Sequence, residues 1–147
     1  MKRQNYGQKD DFMFFIDANI FLEVMLSGKR SVECKELFAR IHKNQIKAAT
    51  SDFIVYTCLI QIENKSSEEK MIDFVLFLDN MPGIEVCSPS YGTLYSAFGI
   101  MKKYGLDFDD ALVVATMKSS GIKEIMSFDG HFDKINEIKR VEPKDIN

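Results

Sequence analysis

The stretch that decides the fold reads Phe12-Met13-Phe14-Phe15-Ile16-Asp17, a run of five apolar residues followed directly by an acid. A short apolar run rich in aromatic residues is typical of a strand that is buried on both faces of a parallel sheet. Parallel sheets of this kind bind their ligands beyond the carboxyl ends of the strands. The position of Asp17 at the end of the strand therefore indicates a functional role.

Strands and helices alternate along the rest of the chain. Hydrophobic patterning and turn residues predict further strands at residues 46–49, 84–87 and 124–128, and a last edge strand near Val141. They predict helices over residues 19–27, 31–41, 53–62, 67–78, 90–103 and 108–119. This alternation predicts an α/β fold in which helices cover both faces of a parallel sheet.

The composition is that of an ordinary globular protein. Of the 147 residues, 46% are hydrophobic and 28% are charged, which excludes disorder over most of the chain. The length favours one domain, and we expect residues 12–147 to form it behind an N-terminal arm of residues 1–11. No apolar run reaches the roughly 18 residues of a membrane span, and no secretory signal is evident, so we expect a cytoplasmic protein.

The charge balance limits how the chain meets nucleic acid. Nineteen Lys and Arg residues against 22 Asp and Glu residues give a net charge of −3. This argues against a protein that coats nucleic acid through bulk positive charge. It leaves open an acidic site that meets phosphate groups through a divalent cation.

The cysteines do not suggest a metal or disulfide framework. Cys34, Cys58 and Cys87 are odd in number and widely spaced, with no CxxC pair. A zinc ribbon and a disulfide scaffold are therefore excluded, and we expect each cysteine to be a small buried hydrophobic residue.

Three aspartates are candidates for chemistry. Asp17 follows the first strand, Asp110 begins the helix at residues 108–119, and Asp129 follows the strand at residues 124–128. Together they would form an all-oxygen cluster, which suits hard cations such as Mg²⁺ or Mn²⁺. Ions held in this way generate hydroxide from water and neutralise the charge that builds on a phosphodiester. The chemistry suggested is metal-assisted phosphodiester hydrolysis.

Local structure offers a second interpretation of the same aspartates. Asp107 is a good N-cap for the helix at residues 108–119, and Asp109 and Asp110 would lie in its first turn, where the helix dipole favours negative charge. Aspartates at strand ends also form turns. No spacing in the chain forces the three candidates together, so the residues alone leave both interpretations open.

Three motifs resemble those of a known family. The stretch FFIDANIFL at residues 14–22 resembles the opening motif of PIN-domain ribonucleases. The stretches LDFDDALVVAT at residues 106–116 and IMSFDGHF at residues 125–132 resemble the closing pair of motifs in that family. The three motifs follow in the family's order and spacing, and the resemblance extends from about Phe12 to Val141.

The resemblance implies a fold, an activity and partners. The implied fold is a three-layer α/β/α sandwich with a central parallel sheet. The implied activity is cleavage of RNA that depends on Mg²⁺ or Mn²⁺. Because many members of the family are toxins neutralised by a small antitoxin, the resemblance also implies an antitoxin partner, and it makes a homodimer plausible.

The resemblance also assigns site residues. Asp17 corresponds to the first acidic metal ligand, Asp110 to the third and Asp129 to the fourth, and these three would be the catalytic residues. Asn19 and Ser127 match the polar positions that brace the cluster.

One position departs from the family pattern. Where the family shows a glutamate on the helix after the second strand, this chain has Thr57. Glu63 lies six residues on, which is about 240° around a helix and about 9 Å further along it, so it cannot replace the missing acid. Thr57 therefore favours an alternative reading, a PIN-like domain that has lost catalysis and binds RNA or a protein. If the alignment holds, Thr57 points into the crevice.

The remaining candidates are weaker. His131 lies between Asp129 and Asp133, where a turn is a better interpretation than a metal ligand. Four basic residues, the first two of them next to Tyr104, are candidates for RNA contact, although a surface lysine is the better interpretation of each. They are Lys102, Lys103, Lys118 and Lys134.

Overall fold

A parallel sheet forms the centre of the molecule. The structure, a computed structural model, describes residues 13–146, so Phe12 and the predicted arm at residues 1–11 lie outside the described residues. The strands are β1 (Met13–Ile16), β2 (Lys47–Ser51), β3 (Ile84–Cys87), β4 (Glu124–Met126) and β5 (Lys139–Val141). They lie in the order β3-β2-β1-β4-β5, and every neighbouring pair is parallel.

Helices connect the strands. They are α1 (Ala18–Met25), α2 (Ser31–His42), α3 (Asp52–Lys65), α4 (Glu68–Asp79), α5 (Tyr91–Tyr104) and α6 (Phe108–Ser119). Short 3-10 helices follow at Gly130–Lys134 and Pro143–Asp145. Glycine ends two of the α-helical segments, since Gly105 and Gly121 adopt the left-handed conformation with φ of 66° and 70°. No helix within residues 13–146 combines the length and the apolar character that crossing a bilayer requires.

The order of the strands places the helices in two layers. The chain steps from β1 to β2 to β3 in one direction and then returns across the sheet to β4. Because crossovers between parallel strands are right-handed, α1 to α4 cover one face and α5 and α6 cover the other. The contacts agree, since α1 packs on α2 and α3, α3 packs on α4, and α5 packs on α6. The predicted three-layer α/β/α sandwich is confirmed.

The core is formed where the sequence is most apolar. Phe14, Phe15 and Ile16 of β1 are 7%, 0% and 1% exposed, because this strand has a neighbour on each side and a helical layer on each face. All residues from Ala111 to Met117 of α6 are buried. A helix buried on every side is held firmly, and this one carries Asp110 at its start.

The strand ends differ from the sequence prediction. β2 continues to Ser51, which also accepts the Ile54 amide at 3.2 Å and so caps α3 directly. Thr50 donates instead to the Ile16 carbonyl at 2.9 Å, which ties β2 to β1. β4 ends at Met126, two residues before the predicted end at Phe128: the Ser127 amide still donates to the Val141 carbonyl at 3.0 Å, but the Phe128 amide donates to the Asn19 side chain instead of to a strand.

Two of the three cysteines match expectation. Cys34 and Cys58 are fully buried, and burial raises the pKa of each thiol to about 12. Cys87 is only partly buried because it lies on the edge strand β3, so the prediction of a buried residue is wrong there. All three are free thiols.

Candidate active site

The carboxyl ends of β1 and β4 lie side by side where the sheet changes direction. The chain continues from β1 towards β2 on one side, whereas β4 leads to β5 on the other. Such a switch point opens a crevice beyond the strand ends. Asp17 directly follows β1, and Ser127 and Asp129 follow β4. The fold therefore brings residues that are 110 positions apart to one edge.

Asp17 is held by hydrogen bonds on both oxygens. Its Oδ1 accepts the Ala18 amide at 2.8 Å, which caps α1. Its Oδ2 accepts the Ser127 hydroxyl at 2.6 Å and the Asn19 side-chain amide at 3.2 Å. The carboxylate is thus fixed in orientation by partners from both sides of the crevice.

Asn19 and Ser127 connect the two strand ends. The Asn19 Nδ2 also donates to Ser127 Oγ at 3.2 Å, and its Oδ1 accepts the Phe128 amide at 3.2 Å. Ser127 is fully buried, and its Oγ accepts the Asp129 amide at 3.0 Å. Ser127 therefore contacts Asp17 and Asp129 at once, and the supporting roles of Asn19 and Ser127 in the site stay predictions.

Asp110 and Asp129 come together at a histidine. The His131 Nδ1 lies 3.5 Å from Asp110 Oδ2 and 3.2 Å from Asp129 Oδ1. One donor atom from each of the three residues lies within 4.8 Å of the other two. The side chains of Asp110 and Asp129 are 19% and 33% exposed, and that of His131 is 71% exposed. The group is open to solvent on the histidine side.

Asp17 is outside the donor group of Asp110, Asp129 and His131, but its charge acts on Asp110. Burial, followed by the negative charges of Asp109, Asp129 and Asp17, raises the pKa of Asp110 to about 6. Burial is also the largest cause that raises the pKa of Asp17, and the hydrogen bond from Ser127 is the largest that opposes it. The charges of Asp129 and Asp109 raise the Asp17 pKa further. A bound cation would relieve this mutual repulsion.

Capping does not account for the aspartates of α6. Asp107 occupies the N-cap position but makes no capping hydrogen bond with its side chain. Asp109 Oδ1 accepts the Asp110 amide at 2.9 Å, so it is the Asp109 side chain that bonds to a backbone amide of the first turn. The Asp110 side chain lies instead beside His131. Its position is explained by the cluster rather than by the helix end.

Sequence reasoning missed two members of this region. The sequence predicts a turn at His131, which lies in the 3-10 helix Gly130–Lys134, but Asp129 Oδ1 accepts its amide at 2.9 Å and its ring nitrogen lies beside Asp110 and Asp129. A histidine two residues after a strand-end aspartate is the signal that points to this arrangement. Asp109 was treated only as a first-turn residue, although its charge raises the pKa values of Asp17 and Asp110.

Helix α3 passes beside Asp17. The Cys58 thiol lies 3.8 Å from the Ala18 carbonyl, and the Asp17 charge contributes to its raised pKa. Thr57 precedes Cys58 and is partly buried, whereas Glu63 is exposed further along the helix. The interpretation that Thr57 occupies a ligand position remains a prediction, and Glu63 does not join the donor group of Asp110, Asp129 and His131.

The donor set fits a divalent cation. Two carboxylate oxygens and one imidazole nitrogen lie close enough to share an ion. Carboxylates are the ligands that Mg²⁺ and Mn²⁺ prefer, and imidazole is a ligand for later transition metals. After burial, the negative charges of Asp109, Asp129 and Asp17 raise the pKa of Asp110, and a cation would neutralise those charges.

Two of the four candidate RNA-contact lysines form ion pairs in the structure. Lys103 and Lys118 both pair with Glu137, the first at 3.2 Å. Their charges are therefore partly neutralised within the chain, which favours their interpretation as surface residues. Lys102 and Lys134 are exposed.

The comparisons with known proteins identify the family. A family model described as the PIN domain matches residues 14–138, which is well over half of the chain. The chain belongs to the PIN-domain family. A search of curated proteins finds no match to this PIN domain.

Solved structures share the fold of this PIN domain. The toxin VapC20 of Mycobacterium tuberculosis, described as cleaving the sarcin-ricin loop, is 18% identical with a TM-score of 0.74, over 88% of this chain and 99% of that one. A toxin-antitoxin complex from Klebsiella pneumoniae is 16% identical with a TM-score of 0.66, over 88% and 97% of the two chains. VapBC2 of Rickettsia felis, bound to promoter DNA, is 14% identical with a TM-score of 0.65, over 89% and 98%.

Proposed function

We propose that this PIN domain is a divalent-metal-dependent endoribonuclease that hydrolyses RNA phosphodiester bonds, acting in the cytoplasm with Mg²⁺ or Mn²⁺. One observation carries the proposal, namely the meeting of Asp110 and Asp129 at the switch point of the sheet, with Asp17 braced beside them. The cleavage of the sarcin-ricin loop described for VapC20 supports RNA as the substrate class. The toxin-type nuclease fold supports hydrolysis as the reaction.

The residues of this chain would divide the work. Asp110 and Asp129 present oxygens to one position and would hold the ion. Asp17 adds a third negative charge, and Ser127 and Asn19 fix its orientation so that little rearrangement accompanies binding. When bound, a divalent ion supplies a more acidic water and neutralises charge on the phosphodiester. The acidic site would otherwise repel the phosphate groups of RNA.

Cleavage of single-stranded RNA tests the proposal. We expect slow cleavage with Mn²⁺ or Mg²⁺, none with EDTA, and none after Asp17→Asn, because asparagine keeps the shape but removes a charge that the cation needs. Asp52→Asn is the matched control, since Asp52 also follows a strand but bonds to Ser88 at 2.6 Å, outside the cluster. Cleavage that survives Asp17→Asn or EDTA would overturn the assignment.

A second candidate function is favoured by Thr57. If the missing glutamate removes catalysis, the domain would bind RNA or protein without cutting. The same assay separates the two functions, because a binding module retards RNA on a gel and leaves it intact with every metal. Divalent-metal titration by calorimetry adds a second readout, since a domain that has lost its metal site should give little heat of binding.

We infer that the partner is a small antitoxin. One of the similar structures is described as a toxin-antitoxin complex. An apolar groove of about 260 Å³, lined by Val24, Phe38, Phe77 and Met81 with Lys35 on its rim, fits an apolar segment that carries acidic residues. Co-purification with the product of a small neighbouring reading frame tests the partner, and Ala39→Arg in the groove should abolish it.

We also infer a homodimer through α5. Tyr91, Tyr95 and Phe98 of this helix are 84%, 75% and 53% exposed, and Phe98 stacks beside Phe108 with ring centres 6.2 Å apart. An exposed aromatic face of this kind is typical of an interface, and a second copy of the chain would bury it. Light scattering should give twice the chain mass, and Tyr95→Lys should halve it.

A further inference from the structure

We propose that His131 Nδ1 is a direct metal ligand beside Asp110 and Asp129, and that this nitrogen makes the site select first-row transition ions over Mg²⁺. The inference rests on the proposed function, because it concerns the same metal site. It goes beyond that function by naming a ligand of a different chemical class. It also predicts an order of affinity among metals.

The spacing of the donor atoms fits ligation. The His131 nitrogen lies 3.2 Å from Asp129 Oδ1 and 3.5 Å from Asp110 Oδ2. Adjacent ligands around an octahedral ion, each about 2.1 Å from it, lie about 3.0 Å apart. Ligands of a tetrahedral ion lie about 3.4 Å apart. The two distances from the His131 nitrogen are close to these values, and all three donor atoms lie within 4.8 Å of one another, so side-chain adjustment would bring them around one ion.

The backbone that carries His131 is anchored despite the exposure of its ring. Its amide donates to Asp129 Oδ1 at 2.9 Å, and the next residue, Phe132, is fully buried. Asp133 accepts from Arg140 at 2.8 Å and 3.2 Å, and Arg140 also donates to the Ser127 carbonyl at 3.1 Å. The turn is thus fixed to the strand end that carries the cluster, and this limits the entropy lost on binding.

The oxygens of Asp17 are less available than those of the other acids. Its Oδ2 already accepts two hydrogen bonds, from Ser127 and Asn19, and its Oδ1 accepts one from Ala18. Thr57 stands at the position of a family acid, so the site has one carboxylate ligand fewer. His131 supplies a ligand in its place. The site becomes a mixed oxygen and nitrogen site rather than an all-oxygen one.

Ligand chemistry then sets the order of affinity. Mg²⁺ prefers oxygen ligands and keeps its waters, so a neutral imidazole adds little to its binding. Transition ions accept imidazole well, and their affinity rises from Mn²⁺ to Co²⁺. We therefore expect the order Co²⁺, then Mn²⁺, then Mg²⁺, with His131 responsible for most of the separation.

Metal titration of three variants tests the inference without measuring RNA cleavage. Calorimetry with Co²⁺, Mn²⁺ and Mg²⁺ should show that His131→Ala weakens Co²⁺ binding at least about tenfold and changes Mg²⁺ binding much less. His131→Asp should restore an all-oxygen site and reverse the preference towards Mg²⁺. His42→Ala is the control, since His42 is the other of the two histidines in the chain and lies at the end of α2.

The visible spectrum of bound Co²⁺ gives an independent readout. Loss of a nitrogen ligand changes the coordination sphere, so the bands of the wild type should shift in His131→Ala and persist in His42→Ala. Equal Co²⁺ affinity and an unchanged spectrum in His131→Ala would overturn the inference. If Asp110→Asn alone then abolished metal binding, the proposed nuclease site would stand without this ligand. If the wild type bound no metal at all, the proposed function would fall with the inference.

Discussion

The Ser127 hydroxyl donates a 2.6 Å hydrogen bond to Asp17 across a sequence separation of 110 residues. The same oxygen accepts the Asp129 amide, so one buried serine joins the ends of β1 and β4. Hydrogen bonds to charged groups are stronger than neutral ones, and burial excludes the water that would replace them. Ser127 therefore stabilises the fold and orients the acidic cluster at once.

Replacement of this serine should destabilise the protein. Ser127→Ala removes the bond that lowers the Asp17 pKa and leaves the Asp129 amide without its acceptor. We expect the free energy of unfolding to fall by about 2 kcal/mol. Urea denaturation monitored by circular dichroism measures this change.

Ser88→Ala is the matched control for that experiment. Ser88 donates to Asp52 at the same distance of 2.6 Å, but this pair is exposed. Water replaces an exposed bond, so the loss should stay below about 0.5 kcal/mol. Equal losses in the two variants would show that burial of Ser127 contributes nothing.

Removal of the Asp110 charge should stabilise the metal-free protein above neutral pH. The pKa of Asp110 is about 6 in the folded chain against an ordinary 3.8, so the folded state binds the proton more tightly. The stability that comes from this proton is fully present below about pH 4 and is lost as the pH rises through about 6. Asp110→Asn stays neutral and avoids that loss.

Solvent screening limits the stabilisation that Asp110→Asn can give. A complete difference between 3.8 and 6 corresponds to about 3 kcal/mol, but the carboxylate is partly exposed and screening reduces this to about 1 kcal/mol. Thermal unfolding in EDTA should show Asp110→Asn above the wild type at pH 8 and closer to it at pH 4.5. A variant less stable than the wild type at pH 8 would contradict the assigned cost of burying the Asp110 charge beside other acids.

Asp133→Asn provides a control of opposite sign. Hydrogen bonding to Arg140 lowers the pKa of Asp133, so its contribution is present above its unfolded pKa and disappears as the pH falls. This variant should gain nothing at pH 8.

Metal should stabilise the wild type in the same assay. An ion that binds only the folded state adds about 2.7 kcal/mol at a free concentration one hundred times Kd. We expect Mn²⁺ to raise the melting temperature at pH 8, EDTA to reverse the rise, and Asp110→Asn to reduce it. A rise of equal size in Asp110→Asn would place the ion elsewhere.

The sequence was informative where structure is local. The apolar run of β1 and the patterned helix α6 predicted the sheet and the positions of Asp17 and Asp110, because burial on both faces demands continuous apolar residues. The resemblance of the motifs predicted the family and the bracing roles of Asn19 and Ser127. These residues contact one another as expected, while their roles in catalysis stay predictions.

The sequence was less informative where contacts between distant parts of the chain determine the local structure. β4 ends early because Asn19 captures the Phe128 amide, a contact between residues 109 positions apart. The His131 ring reaches two acids because its turn is anchored through Arg140 and Phe132. Lys103 forms an ion pair with Glu137, which comes from another part of the chain. Hydrophobic periodicity along the sequence does not predict contacts of this kind.

Restoring the missing acid should strengthen the site. Thr57→Glu adds a carboxylate to α3 one residue before Cys58, whose thiol lies 3.8 Å from the carbonyl of Ala18, the residue after Asp17. Ligand charge is one determinant of affinity for hard cations, so we expect tighter Mg²⁺ and Mn²⁺ binding and faster RNA cleavage. In EDTA the same variant should be less stable than the wild type, because a fourth negative charge then meets no cation.

Asn64→Glu separates a ligand effect from a general effect of charge. It adds the same charge to the same helix at an exposed position about 10 Å further along, too far to reach the ion. We expect it to change neither metal affinity nor cleavage. If Thr57→Glu behaved like Asn64→Glu while the wild type neither bound metal nor cut RNA, the binding-module function would replace the nuclease. If instead Thr57→Glu alone created activity in an inactive wild type, the loss of this one acid would explain the inactivity, and the rest of the site would be intact.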